Sequence, residues 1–275
     1  MSSSAPVLLS LDTATDRIHA ALTIGDHLAV LDLPGGAQAS ASLLPALNGL
    51  LQAAHLAWKD VSAVAFGSGP GAFTGLRTAC SVTQGLALGL GCPVISLDTL
   101  MAVAEDARLA SPASWAAGDT IWVLQDARMS ELYVGAFTWT GTDWQPAQPA
   151  QLWPLDEPLR RWAPDGALDQ TLRWAGNAAD AYPDLLGALL PRQAIATHAA
   201  HVEHTGSAPS TQSAAPRGAA LAALARRAWD RGDTLDAALA LPRYVRDKVA
   251  QTTAERQAAA RARDAATSSQ APDQA

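Results

Sequence analysis

The chain has 275 residues, enough for one or two domains around a large core, and its 49% hydrophobic and 16% charged content excludes a disordered chain. With 26 acidic against 19 basic residues, a net charge of −7, it has no basic face for gripping nucleic acid unaided, and no apolar run is long enough to span a membrane. Two cysteines, Cys80 and Cys92, lie in apolar stretches and read as buried thiols of a reducing compartment, and a disulfide framework is not expected.

In chain order, Met1–Pro6 has neither a positive leader nor an apolar stretch, and the expected location is cytoplasmic. Val7–Thr13 reads as an apolar strand ending in Asp12-Thr13. His19–Ile24 and His27–Leu33 read as two more strands joined by a tight turn at Gly25-Asp26. Ser42–Leu56 turns helical, with Leu43, Leu44, Leu47, Leu50, Leu51 and Ala54 along one stripe, Ser40 or Ser42 as its cap and Pro45 in its first turn. Val61–Phe66 is a strand, Thr74–Leu90 a helix, Pro93–Leu97 a strand and Leu100–Ala107 a helix. The order is βββαβαβα. Within the second helix Gly85 and Gly89, four apart, leave room for another backbone to approach.

From about Leu109 the character changes, and eight of the nine tryptophans lie beyond residue 110. Ile121–Asp126, a turn at Ala127–Ser130 and Glu131–Thr138 repeat the opening hairpin. Residues 141–170, rich in Pro, Trp and Asp, read as loops, Thr171–Gly176 as a short strand, and 191–215 as a polar excursion. Pro216–Arg231 is a helix stopped by Gly232. The expected division is an N-terminal lobe over 1–108, a C-terminal lobe over 109–254 and a loose tail over 255–275. Two lobes that each open on a hairpin and continue into β/α units imply an α/β class of duplicated, two-lobed, actin/Hsp70-like (ASKHA) ATPase type. In such a fold Asp12 and Asp126, each at the end of its lobe's first strand, face a nucleotide. The plainer reading of each is an aspartate capping a turn.

The densest signal is Gly67-Ser68-Gly69-Pro70-Gly71-Ala72-Phe73-Thr74-Gly75-Leu76-Arg77, set between a strand and a helix. Strand, glycine loop and helix start is an arrangement that points backbone N–H groups at an anion. It is not a Walker loop, because no lysine follows Gly75. It is not a dinucleotide fingerprint either, because Ala72 holds the third glycine position. A tight turn without ligand fits it equally well.

Taken together, the motifs resemble the TsaB (YeaZ) family. They are Leu11-Asp12-Thr13-Ala14-Thr15, Ser42-x-Leu44-Pro45, the glycine string, and Gln84-Gly85-Leu86-Ala87. With them go Asp126-Ala127-Arg128-Met129 followed by Glu131-Leu132-Tyr133, Ala175-Gly176-Asn177, and Pro242-x-Tyr244-x-Arg246. The resemblance runs from about residue 7 to about residue 247. It implies a non-catalytic subunit required for N6-threonylcarbamoyladenosine (t6A) at position 37 of tRNAs that read codons beginning with A. The partners it implies are the catalytic paralogue TsaD, in a heterodimer, and the small ATPase TsaE. A homodimer is a further expectation, and tRNA is met only through the complex.

The catalytic paralogue carries a metal-binding His-x-x-x-His after the strand matching Pro93–Leu97. Here Thr99 and Val103 fall at those positions, and neither replaces imidazole. No metal, no cofactor and no catalytic residue is expected. A vestigial nucleotide face is assigned to Asp12, Thr13, Gly69, Gly71 and Asp126, and the motif loop to Gly67, Gly69, Pro70, Gly71, Phe73, Thr74, Gly75 and Arg77. The partner surface is expected on the two apolar stripes, at Leu43, Leu47, Leu50, Leu51, Leu76, Thr83 and Leu86. The alternatives are an active ATPase or sugar kinase of the same fold, working through Asp12 and Asp126, and a homodimeric scaffold unrelated to tRNA. The turn after Asp12 lacks the glycine-rich phosphate hairpin such enzymes use. His198, His201 and His204, three apart with Glu203 among them, could form a zinc cluster on a helix. Thr205-Gly206-Ser207-Ala208-Pro209 follows at once, and a solvated loop is the expectation.

Overall fold

Two mixed sheets, each built from an antiparallel meander with a parallel strand added beside its first member, organise the chain in a computed structural model that describes residues 5–36, 39–163, 172–187 and 213–246. The first sheet has β1 (Val7–Asp12), β2 (Arg17–Ile24), β3 (His27–Pro34), β4 (Ala63–Gly67) and β5 (Val94–Leu97), in the order β3-β2-β1-β4-β5. Strands β1–β3 run antiparallel, whereas β4 and β5 run parallel to β1. The second sheet has β6 (Thr120–Asp126), β7 (Glu131–Trp139), β8 (Trp144–Pro154) and the two-residue β9 (Trp174–Ala175), in the order β8-β7-β6-β9, with β9 parallel to β6. The repeated meander plus parallel strand is the duplicated pattern that the sequence implies for an actin/Hsp70-type fold.

Helices α1 (Ala39–Ala53) and α2 (Phe73–Leu90) cover one face of the first sheet. Leu43, Leu47, Leu50 and Leu51 of α1 and Ala79, Cys80 and Ala87 of α2 join Leu9, Leu11, Ile18, Leu22, Val64 and Phe66 in one apolar core. The opposite face is covered by α6 (Gly218–Arg231), which packs on α3 (Thr99–Ala110), and α3 in turn packs on the second sheet. Leu8, Ile95, Leu100, Val103, Leu221, Ile121 and Phe137 share this second core. Helix α6 was expected in the C-terminal lobe by its place in the chain, yet it packs on β1, β2 and β3 of the first sheet. Those strands are apolar on both faces and need cover on both. Short helices α4 (Glu157–Trp162) and α5 (Ala178–Ala181) complete the second lobe. Met1–Val245 forms one compact unit, and Arg246 opens another.

Three local expectations change. The stretch 141–170, read as loops, contains the eleven-residue strand β8. Its prolines, Pro146, Pro149 and Pro154, hide it from a strand pattern, but β8 lies at a sheet edge, where proline is tolerated. Helix α1 begins at Ala39, before the expected start, so Pro45 sits in its second turn and Ser40 and Ser42 lie inside it, not at its cap. The tryptophans of the second half fill both faces of the second sheet: Trp122, Trp153 and Trp162 pair with ring centroids 5.1–5.7 Å apart on one side. Trp115, Trp139 and Trp144 pair at 5.2–5.3 Å on the other. The His198/His201/His204 cluster and the tail 255–275 lie outside the described residues.

Candidate functional site

Asp12 and Asp126 close the first strands of the two sheets and make the same local bond. Each accepts a hydrogen bond at Oδ1 from the backbone N–H two residues on, Ala14 at 2.7 Å and Arg128 at 2.7 Å. This is the Asx-turn habit of aspartate, which lets the chain reverse without an unpaired donor. Their surroundings then diverge.

Asp12 is wholly buried. Its Oδ2 accepts from the Thr99 hydroxyl at 2.8 Å, and the same hydroxyl accepts the Gly69 N–H at 3.2 Å. Burial pushes the Asp12 pKa from 3.8 up to about 6, and the bonds from Ala14 and Thr99 only partly offset it. The carboxylate lies against the backbone of Gly67, where a Cβ would fall 1.7 Å from Oδ2. Only glycine permits that approach. Farther along the string Thr13 reaches over to α2: its hydroxyl donates to the Gly75 carbonyl at 2.6 Å, and a Cβ on Gly75 would lie 1.8 Å from the Thr13 carbonyl oxygen. Gly71 abuts Ala14, whose carbonyl accepts the Ala72 N–H at 2.8 Å, and Gly69 abuts the Arg243 carbonyl.

The string therefore grips the β1–β2 turn on one side. On the other side it is held by residues 240–244. The Arg243 N–H donates to the Ser68 carbonyl at 2.7 Å, and Arg243 pairs with Asp98, the N-cap of α3. Cys80 and Gln84 of α2 both donate to the Ala240 carbonyl, at 3.2 and 3.0 Å. Tyr244 stacks beside Phe73 at 5.2 Å and accepts a bond at 3.1 Å from Arg77, whose guanidinium lies 3.8 Å from the Phe73 ring centroid. The glycine string and the Pro242–Tyr244 part of the late motif, far apart in the chain, thus meet.

At the second sheet Asp126 accepts from the Tyr182 hydroxyl at 2.8 Å as well as from Arg128, whose guanidinium stands 3.3 Å from Oδ2. Asn177 accepts the Asp126 N–H at 2.8 Å and donates its own N–H to Gln125 at 3.1 Å, so the Ala175-Gly176-Asn177 motif braces the end of β6. Between β6 and β7, Arg128, Met129 and Ser130 all take left-handed φ values of 64°, 57° and 59°. Three such non-glycine residues in a row are strained by about 1 kcal/mol or more each. Asp126 and Tyr182 stabilise the turn from inside, Tyr182 also receiving the Ser130 N–H. Burial and the Asp126 carboxylate raise the Tyr182 pKa, so the phenol stays protonated as a donor.

An actin/Hsp70-type fold implies a nucleotide with magnesium between such strand ends. The first-sheet residues do not fit it. Both Asp12 oxygens are spent inside the chain, the Ser68, Gly69 and Ala72 N–H groups already have acceptors, and the spaces beside the glycines are filled by Asp12, Thr13, Ala14 and Arg243. A phosphate cradle needs unspent N–H groups facing an open concavity. Nor do the positions matching the paralogue's histidine pair fit a metal, since Thr99 is locked to Asp12 and Gly69, and Val103 is buried in the core between the sheets. Among the described residues, no cluster of three or more His, Cys, Asp or Glu is placed to hold a metal.

The expected partner residues also prove internal. Leu43, Leu47, Leu50, Leu51, Leu76 and Thr83 are buried and Leu86 is half-buried, because the apolar stripes face their own sheet. The roles of Thr99 and Tyr182 were not legible from sequence: Thr99 entered only as the residue at one of the paralogue's histidine positions, and Tyr182 carried no signal.

A family model described as TsaD: tRNA N6-adenosine threonylcarbamoyltransferase matches residues 36–254. A solved structure described as an uncharacterized protein with similarity to peptidase YeaZ, from Pseudomonas aeruginosa, is 31% identical over 88% of this chain and all of its own, with a TM-score of 0.65. The chain belongs to the TsaB/YeaZ family. A second structure, YeaZ from Pseudomonas aeruginosa, is 29% identical over 87% of this chain and 99% of its own, again with a TM-score of 0.65. Among curated proteins, the tRNA threonylcarbamoyladenosine biosynthesis protein TsaB of Escherichia coli is 34% identical over 46% of this chain and 52% of its own length. That of Haemophilus influenzae is 34% identical over 46% and 51%. The chain spans about half the length of the curated TsaB relatives it matches. No helix among the described residues is long and apolar enough to cross a membrane.

Proposed function

We propose that this chain is a non-catalytic partner subunit in forming N6-threonylcarbamoyladenosine at position 37 of tRNAs reading codons that begin with A. It heterodimerises with a TsaD-type catalytic paralogue in the cytoplasm, and a TsaE-type ATPase acts on the pair. The observation that carries this reading is the filling of the paralogue's metal positions by Thr99, bonded to Asp12, and by the core residue Val103. The biosynthetic naming of the TsaB relatives supplies the pathway. With a net charge of −7, tRNA is engaged through the complex.

The partner surface moves to the outward faces of α1 and α2. Leu44 and Leu88 are 42% and 67% exposed there. Gly49, Gly85 and Gly89 have nothing within 4 Å of where a Cβ would stand. A glycine inside a helix costs about 0.5–1 kcal/mol against alanine, and no contact among the described residues accounts for these three. A second helix backbone packed closely on this face does account for them.

The test is t6A formation on tRNA by the matching TsaD, TsaE and adenylate-forming enzyme, with and without this chain. Modification that depends on its addition, with none from the chain alone, is expected. Equal modification without it overturns the reading. The rival ATPase or sugar-kinase reading requires nucleotide turnover by the isolated chain, which the sealed Asp12 argues against.

A further inference from the structure

Helix α2 ends with no positive side chain at its negative pole. It is 18 residues long and has no basic residue in its last turn. Gly91 and Cys92 both return their N–H groups to the Ala87 carbonyl, Cys92 at 3.1 Å. Pro93 has no N–H, and Val94 donates to Leu235 at 2.9 Å. The carbonyls of Leu88, Gly89 and Leu90 therefore receive no backbone N–H from the chain that follows the helix.

Beyond that end lies a groove of about 460 Å³. Leu88, Gly91 and Pro93 line it on the helix side, and Thr234, Leu235 and Asp236 on the other. The Val94–Leu235 pair, joined by two backbone hydrogen bonds at 2.9 and 2.8 Å, holds the second side in place. Asp236 accepts the Ala238 N–H at Oδ1, at 2.8 Å, and among the described residues no donor or cation pairs with its Oδ2. None of the lining residues is basic. Burial raises the pKa of the Cys92 thiol, so the thiol adds no charge of its own. Arg231, the nearest cation in sequence, is taken by Asp143 and Asp233.

We propose that this groove takes an arginine or lysine side chain of the partner subunit. The inference rests on the partner reading given above. A cationic head on an apolar stem matches both features of the groove. The stem covers Leu88, Pro93 and Leu235, and the head meets the orphan carbonyls and the Asp236 carboxylate. The source is a partner protein and not a free cation because the two surfaces are continuous. Leu88, 67% exposed, is at once the lip of the groove and part of the outward α2 face. That face needs a device of this kind. Helices α1 and α2 together carry one charged residue, Arg77, near the start of α2. A face so nearly neutral gives a partner helix little to tell one orientation from the other. A charged socket at one end of α2 sets the orientation.

The experiment measures the affinity of the full chain for the matching TsaD-type protein by isothermal titration calorimetry at low and moderate salt. Asp236→Asn removes the charge, and its side-chain carbonyl keeps the Ala238 bond. Asp233→Asn removes an equal charge three residues earlier, outside the groove, and is the control. Asp236→Asn is expected to weaken binding about fivefold to tenfold and to make it less sensitive to salt, while Asp233→Asn changes it less than about twofold. Equal weakening in both variants overturns the inference, because a diffuse field and not the groove would then be responsible. Unchanged affinity in Asp236→Asn also overturns it and leaves the partner reading standing. A wild-type chain that does not bind overturns both.

Discussion

Replacing Asp12 with asparagine should stabilise the protein at neutral pH, although it removes a charge from a residue with two hydrogen bonds. Asp12 is wholly buried, and burial raises its pKa from 3.8 to about 6. A folded-state pKa above the unfolded one means that the native state holds the proton more tightly. The associated stability is complete below about pH 3.8 and is lost as pH rises through about 6. The shift of about 2 units corresponds to about 3 kcal/mol of cost at pH 7.5. Asparagine is neutral and of the same shape. Its carbonyl keeps the Ala14 bond, but its amide faces the Thr99 hydroxyl, which must turn to accept and loses a partner, at about 1 kcal/mol. The expected gain is thus about 2 kcal/mol at pH 7.5, turning into a loss of about 1 kcal/mol near pH 4. His19, opposite Asp12 in the register and kept neutral by burial down to about pH 4, is common to both proteins and cancels. Guanidinium unfolding of both proteins at intervals from pH 4.5 to 8 measures the difference. A variant less stable than the wild type by a constant amount across that range would refute the reasoning, because it would show the carboxylate to be stabilised, not stranded, by its site.

Gly75→Ala forces a Cβ to within 1.8 Å of the Thr13 carbonyl oxygen, and a loss of about 2–4 kcal/mol is expected by denaturant titration. Gly85→Ala has the opposite sign: open space surrounds the site, so the free chain should gain about 0.5–1 kcal/mol, while co-purification with the TsaD-type partner weakens. Glu105 is buried; desolvation alone would raise its pKa, yet Arg108 and Arg227 outweigh that and hold it below the usual value, while Trp144 donates to it at 2.8 Å. Glu105→Gln should cost about 3 kcal/mol at pH 7 by thermal or denaturant unfolding, with the difference shrinking as pH falls below about 4.5, where the wild-type carboxylate takes up its proton. Tyr182→Phe removes the hydroxyl between Asp126 and Ser130, and faster amide exchange across residues 128–130 is the readout.

Much of the first lobe was legible because its strands and helices carry clean periods and its turns carry glycine. The order βββαβαβα needed no three-dimensional information. β8 was not legible, since the rule that excludes proline from strands says nothing of edges until the sheet order is known. The α1 and α2 stripes were read as helical correctly, but their direction was open: a leucine row of that kind fits a sheet or a partner equally well, and packing settles it for the sheet. The glycine string shows most clearly where sequence stops. Its glycines advertise close approach, but what approaches is the chain's own Asp12, Thr13, Ala14 and Arg243, and no local pattern encodes a contact 170 residues away.

The crowding of tryptophan has a practical consequence. Six of the nine indoles stand in ring contact around the second sheet, while Trp58, in a 3-10 turn at the edge of the first lobe's core, is alone there. Intrinsic fluorescence therefore watches mainly the second sheet, and only Trp58 and Trp229 of α6 report on the half that holds Asp12, α2 and β3. If the halves melt apart, emission and far-ultraviolet circular dichroism will disagree. The gap between the two curves then belongs to the first sheet.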